Sequence, residues 1–289
     1  TDEQRILSWG GGTVRVWNAV NGEQVGFGKQ HEYVNGAVFS SDGQRIVSWG
    51  SGHLGAGSKV LIWDVATSRQ IGPWLKGNGA LFSPDGQRIL IWSSTALRIW
   101  DVANSRQIGP SMKQESVVYG VLFSSDEQHI LTWHYDGTVR LWEVSSGKQI
   151  VPSMKHDGPV KGAVFFNNQQ RILSWSEDGT VRVWDAASGK QSSPSMKHED
   201  IVTGALFSTD EKLILTWSYD GTARLWDSVT GQQIGPSMKH ENSFINGALF
   251  SPDGQSILTW FGDKTARLWS IWGEILISQP IIMSYRLKL

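Results

Sequence analysis

The sequence of 289 residues predicts an all-β chain built from seven copies of one four-stranded antiparallel unit. Three observations carry that expectation. Tryptophan recurs as Trp17, Trp63, Trp100, Trp142, Trp184, Trp226 and Trp269, at gaps of 46, 37, 42, 42, 42 and 43 residues. A second series runs beside it: Trp9, Trp49, Trp92, Trp133, Trp175, Trp217 and Trp260. Between them lie short apolar runs bounded by turn residues, the pattern of buried strands rather than helices. A period of about 40–45 residues holding four strands is the mark of a propeller. The expected architecture is therefore a seven-bladed β-propeller of four-stranded antiparallel blades, one domain over residues 1–289.

Residues 198–227 show the unit most clearly. Ala205 and Phe207 mark a first strand, and Leu213, Leu215 and Trp217 a second. A third run, 222–226, follows Tyr-Asp-Gly, and Asp-Gly between alternating runs is a strong hairpin signal. The fourth run, 232–238, carries Pro236; proline donates no ladder hydrogen bond, so this strand belongs at an edge. Pro73, Pro110, Pro152 and Pro194 hold the same place, each ten residues after its tryptophan.

Four polar or aromatic positions keep fixed spacing. His156, Ser174, Asp178 and Trp184 are separated by 18, 4 and 6 residues, as are His198, Thr216, Asp220 and Trp226. His240, Thr259, Asp263 and Trp269 follow at 19, 4 and 6. In these residues the chain resembles the WD40-repeat family, whose blades carry a hydrogen-bonded Trp–Ser/Thr–His–Asp tetrad. The resemblance implies that the histidine holds the inter-blade loop and the aspartate the hairpin turn. The hydroxyl would bridge them to the indole N–H, which needs an acceptor once buried. The second tryptophan series departs from the family, where a small residue is usual, and reads as packing between blades.

Taken in order, the repeats are unequal. The first opens in mid-repeat, residues 1–4 aligning with 209–212, so it lacks a first strand here; Gly10-Gly11-Gly12 replaces its turn aspartate. Either the chain continues a longer one, or the far end supplies the strand, with 281–289 as a ring-closing tail. The second has His31 and Ser48 but a glycine-rich insertion over 51–58, read as a surface loop. The third has Ile91 in place of the hydroxyl and no histidine or turn aspartate. The fourth regains Thr132 and Asp136 but carries Gln114 for histidine, while His134 is read as a surface residue. Repeats five to seven are complete.

Net charge is −1 and charged residues are 18%, which gives no attraction for nucleic acid or an anionic membrane. No apolar run reaches membrane-spanning length, and no signal peptide is visible. The absence of cysteine removes disulfide and thiolate chemistry and suits the cytoplasm. His, Ser and Asp recur at blade spacing, as a framework does and a single active centre does not. No catalytic residues, metal ligands or cofactor are expected.

In relatives of the resembled family, the face of hairpin turns and inter-blade loops commonly receives partners. Carried onto this chain, that face holds Tyr135, Glu177, Tyr219 and Gly262 before the tetrad aspartate position. It also holds Asn35, Asn78, Tyr119, Lys161, Thr203 and Asn246 before the first-strand glycine. The three tyrosines are the expected anchors, with Lys161 and Glu177 setting polarity. The implied role is a monomeric, non-catalytic scaffold for a protein or peptide, as the recognition domain of a larger signalling protein of prokaryotic type. The alternative is a small-ligand or glycan binder on the same face.

Overall fold

The computed structural model describes residues 4–26, 31–51, 58–166, 169–239, 243–271 and 281–282. Among the described residues strands alone form the regular structure, in seven antiparallel sheets following chain order. Among the described residues sheet one has three strands: Arg5–Gly10, Thr13–Asn18 and Gln24–Gly26. The other six have four. Sheet six is representative: Val202–Phe207, Leu213–Ser218, Thr222–Asp227 and Gln233–Lys239. By contact the chain divides into two compact units, residues 1–130 with 142–149, and 131–141 with 150–289.

Within each unit the core lies between successive sheets. In the first, Val47, Val60, Ile62 and Leu75 pack with Ala80, Phe82, Ile89 and Ile91. In the second, Leu173, Val181, Val183 and Met196 meet Val202, Ala205, Ile214 and Trp226. Strand alternation explains both sets: in each pair one sheet turns its apolar face toward the other.

Of the second tryptophan series, Trp49, Trp92, Trp175 and Trp217 pack against the core as expected, whereas Trp9 is 47% exposed, and the series carries a constraint that spacing alone did not reveal. Trp49, Trp92, Trp175, Trp217 and Trp260 each pair across the ladder with a first-strand glycine: Gly36, Gly79, Gly162, Gly204 and Gly247. A Cβ on any of these glycines would fall 2.0–2.1 Å from the indole. Each ring therefore occupies the space a side chain would need.

The outer strands differ from the uniform fourth strand expected. Where Gly precedes Pro, at Gly72, Gly109 and Gly235, φ is 67°, 66° and 67°, and the register shifts across the Gly-Pro pair. A bulge of this kind lets the strand resume beyond it. Val151 and Ser193 stand at that place in sheets four and five. There the strand shrinks to Met154–Lys155 and Met196–Lys197, preceded by single bridges from Trp142 and Trp184.

In sheet seven Ile281–Ile282 pair with Thr265 and Ala266 as the fourth strand. Those two residues complete sheet seven as its fourth strand. The remainder of that tail, 283–289, lies outside the described residues, as do 52–57 of the glycine-rich insertion.

Candidate functional site

The tetrad residues meet in sheets five and six. Trp184 Nε1 donates to Ser174 Oγ at 2.8 Å, and that oxygen lies 2.7 Å from His156 Nε2. His156 Nδ1 lies 3.2 Å from Asp178 Oδ2. In sheet six the same contacts are 2.8 Å (Trp226 to Thr216), 2.7 Å (Thr216 to His198) and 3.0 Å (His198 to Asp220). These partners set the tautomer: Nδ1 carries the proton toward the carboxylate, and Nε2 accepts from the hydroxyl. Every member is satisfied with a neutral imidazole. Burial is the larger influence and lowers the pKa of both histidines, against the upward pull of their aspartates.

Asp178 and Asp220 are held far below the usual carboxylate range. Burial alone would raise them, but hydrogen bonds outweigh it. Besides histidine, Asp178 accepts from Thr180 Oγ1 at 2.7 Å and the Asp157 amide at 2.9 Å; Arg182 Nη2 stands 3.4 Å away. Asp220 accepts from Thr222 Oγ1 at 2.6 Å, the Glu199 amide at 3.1 Å and Arg224 Nη2 at 3.1 Å. The tetrad is thus a six-residue cluster. Its threonine and arginine were legible as Asp-Gly-Thr with Arg two further on, a run present at 136–140, 178–182 and 220–224.

The other sheets hold partial versions. In sheet seven Trp269 donates to Thr259 at 2.8 Å, and Asp263 accepts from Thr265 Oγ1 at 2.6 Å; His240 lies outside the described residues. In sheet two Ser48 joins Trp63 at 3.0 Å and His31 at 2.9 Å. In sheet one Trp17 still donates to Ser8 at 2.7 Å. Ile91 of sheet three is buried in the apolar core.

Sheet four corrects one expectation. His134 is no surface residue: it is fully buried, with Nε2 2.8 Å from Thr132 Oγ1. Its ring makes the hydroxyl contact that a loop histidine makes in sheets five and six, but from the strand itself. Buried Gln114 donates to the Met112 carbonyl instead. The signal was available as a pair of changes in one repeat, histidine lost at 114 and gained at 134.

The Asp–His–Ser connectivity matches that of a nucleophilic triad, but Ser174 and Thr216 are completely buried and accept an indole N–H. No substrate atom reaches them. Among the described residues no group of three or more His, Asp or Glu is placed to hold a metal ion. Among the described residues no helix long and apolar enough to cross a membrane is found.

Around the tetrads of the second unit, Tyr135 and Tyr219 are more than half exposed. Tyr219 meets the exposed ring of Phe244 edge-on, centroids 6.5 Å apart. Gly262 faces Phe244, and a Cβ there would fall 2.5 Å from the ring. Lys161 Nζ pairs with Glu177 Oε1 at 3.2 Å, so the two charges expected to set polarity largely neutralise each other. Thr203 Oγ1 donates to the Trp217 carbonyl at 3.3 Å, and Asn246 is exposed. In the first unit Tyr119, Asn35 and Asn78 are exposed. Phe244 was missed because its counterparts Pro159 and Ile201, whose carbonyls accept from the equivalent hairpin amides, are not aromatic, so no repeating aromatic signal marks the place.

No curated protein matches the chain. Solved structures that match include the computationally designed Ika8 protein, at TM-score 0.76 and 22% identity, covering 96% of this chain and 84% of that one. The fold is accordingly all-β, a seven-bladed propeller of antiparallel sheets. The signature described as WD domain, G-beta repeat matches residues 109–143, 148–185, 191–227 and 233–270, just over half of the sequence. With these four consecutive repeats and the tetrads they contain, the chain belongs to the WD40 family.

Proposed function

We propose that residues 1–289 form one non-catalytic domain acting as a scaffold for a protein or peptide partner, bound on the tetrad side. The carrying observation is the contrast at that side: exposed Tyr135 and Tyr219 each precede the aspartate of a hydrogen-bonded cluster, Asp136 with Thr138 and Arg140 and Asp220 with His198, and exposed Phe244 packs on Tyr219. Rigid aromatic anchors lose little entropy on binding, and tyrosine is enriched at interface hot spots. Lys161, Glu177, Thr203 and Asn246 supply the polar margin, with Tyr119 as the anchor of the first unit. The role that fits is partner recognition within a larger signalling or regulatory protein of the cytoplasm, by a monomeric propeller without cofactor, nucleic acid or membrane.

The test is affinity capture from the source lysate with the parent chain and a Tyr135→Ala/Tyr219→Ala/Phe244→Ala variant of equal Tm. A partner held by the parent and lost by the variant supports this face. Equal retention moves the site elsewhere. Capture of no protein, with a Tm shift in a small-ligand or glycan library, favours a ligand-binding propeller instead.

A further inference from the structure

Sheet two keeps three members of the tetrad and has lost the fourth. His31 is 5% exposed; Ser48 Oγ accepts from Trp63 Nε1 at 3.0 Å and donates to His31 Nε2 at 2.9 Å. Burial, then the charge of Lys59, lower the pKa of the ring, so it is neutral and its proton sits on Nδ1. In sheets five and six an aspartate receives that proton, at 3.2 and 3.0 Å. Four residues beyond Ser48 stands Gly52 instead. Among the described residues the buried Nδ1 has no hydrogen-bond partner. The stretches 27–30 and 49–58 contain no aspartate or glutamate, so neither supplies the missing carboxylate.

The surroundings have changed with that loss. Lys59 stands where Thr180 and Thr222 approach histidine Nδ1, at 3.0 and 3.3 Å. Leu61 stands where Arg182 and Arg224 pair with the aspartate. Sheets five and six thus set a cation against an anion, whereas Lys59 meets no carboxylate among the described residues. Its Nζ lies 5.2 Å from the ring centroid of Trp74, which is 49% exposed and replaces the serine of the other Gly-Pro-Ser-Met-Lys strands. Across the ladder Lys59 faces Lys76, where sheets four, five and six pair threonine with lysine. Like charges directly opposite destabilise a sheet, and an anion beside them would relieve that cost.

We propose that sheet two binds a carboxylate from outside the chain, at the place the tetrad aspartate takes in sheets five and six. One oxygen accepts from His31 Nδ1–H and the other faces Lys59 Nζ, beside the Trp74 ring. A flat carboxylate is selected over a tetrahedral anion because a carboxylate is what this place holds in the intact repeats, where its side chain is 8% and 7% exposed. A free small acid and an acidic side chain of a polypeptide share this chemistry. All the residues lie in the first unit, and the inference is independent of the aromatic face proposed above.

The experiment uses the 289-residue chain with isotope-labelled histidine, at neutral pH and constant ionic strength, with sodium acetate replacing chloride. A saturable shift of the His31 Nδ1–H resonance and a rise in Tm with the same midpoint are expected. Lys59→Thr installs the residue of sheets four to six and should weaken acetate binding by roughly tenfold or more. An end-capped peptide, Gly-Gly-Glu-Gly-Gly, and its glutamine counterpart separate the sources. Saturation by the glutamate peptide alone at lower concentration than acetate assigns the site to a polypeptide; acetate binding without peptide binding assigns it to a small acid. Silence of both probes overturns the proposal. So does an equal Tm rise in Lys59→Thr, which would be a general salt effect, or tighter binding of sulfate than acetate. An Nδ1–H resonance already protected from exchange and unmoved by acetate also overturns it, because an atom of the chain itself would then hold the proton.

Discussion

The indole of Trp217 fills the space a side chain at Gly204 would need, with a Cβ at 204 falling 2.0 Å from the ring. The pair is cross-strand neighbours in sheet six, so neither residue can withdraw without breaking the ladder. Large residue against none is a single packing solution, repeated in five sheets.

Gly204→Ala should therefore destabilise the second unit by on the order of 3 kcal/mol, because the methyl forces the indole out of place. Gly10→Ala is the control. It ends a strand with nothing within 4 Å of the new Cβ, and should change stability by less than about 0.5 kcal/mol. Urea denaturation of both variants checks the contrast, and equal losses would reject the steric account.

Ser174→Ala removes one oxygen that serves two buried groups, the Trp184 indole N–H and His156 Nε2. Each group left unsatisfied costs about 1–3 kcal/mol, so a loss of about 3 kcal/mol is expected. Ser174→Thr should be mild, because sheets six and seven use threonine at this place with tryptophan contacts of 2.8 Å. Thermal melts of the two variants decide it; a mild alanine variant would mean the network contributes little.

His134→Leu should cost about 2 kcal/mol although no loop histidine is touched, because Thr132 Oγ1 loses a buried partner. His129→Leu, on the same strand but partly exposed, should cost less than about 0.5 kcal/mol. If the two variants melt alike, the tetrad-like role of His134 is wrong.

The parts legible in the sequence were those fixed by period: seven sheets, the strand order within each, and the Trp–hydroxyl–His–Asp spacing. The parts that were not legible depend on which side chain crosses to which neighbour. His134 looked like a surface residue because spacing assigns the histidine to a loop, while a strand position beside Thr132 serves the same contact. The Lys161–Glu177 pair joins residues 16 apart, one before a first-strand glycine and one in a hairpin, and no periodic signal links those positions. The outer strands were predicted as edges from proline, correctly in kind. Their length turned on whether glycine precedes the proline and takes positive φ.

Acid should destabilise the fold in two stages. His156 and His198 have native pKa values lowered from the ordinary 6.5, chiefly by burial. The unfolded chain therefore binds more protons once pH falls below about 6.5, and stability drops from there. Asp178 and Asp220 are held below the ordinary 3.8, so their contribution is present above that value and is lost as pH falls through their native range. Both stages carry the same sign. Tm should be level between about pH 7 and 8, decline below about 6.5, and fall more steeply below about 4. His198→Gln should flatten the upper stage, and Asp220→Asn should weaken the lower one. Differential scanning calorimetry across that range is the check, and a Tm that rises on acidification to pH 5 would show that the imidazoles are charged in the native state.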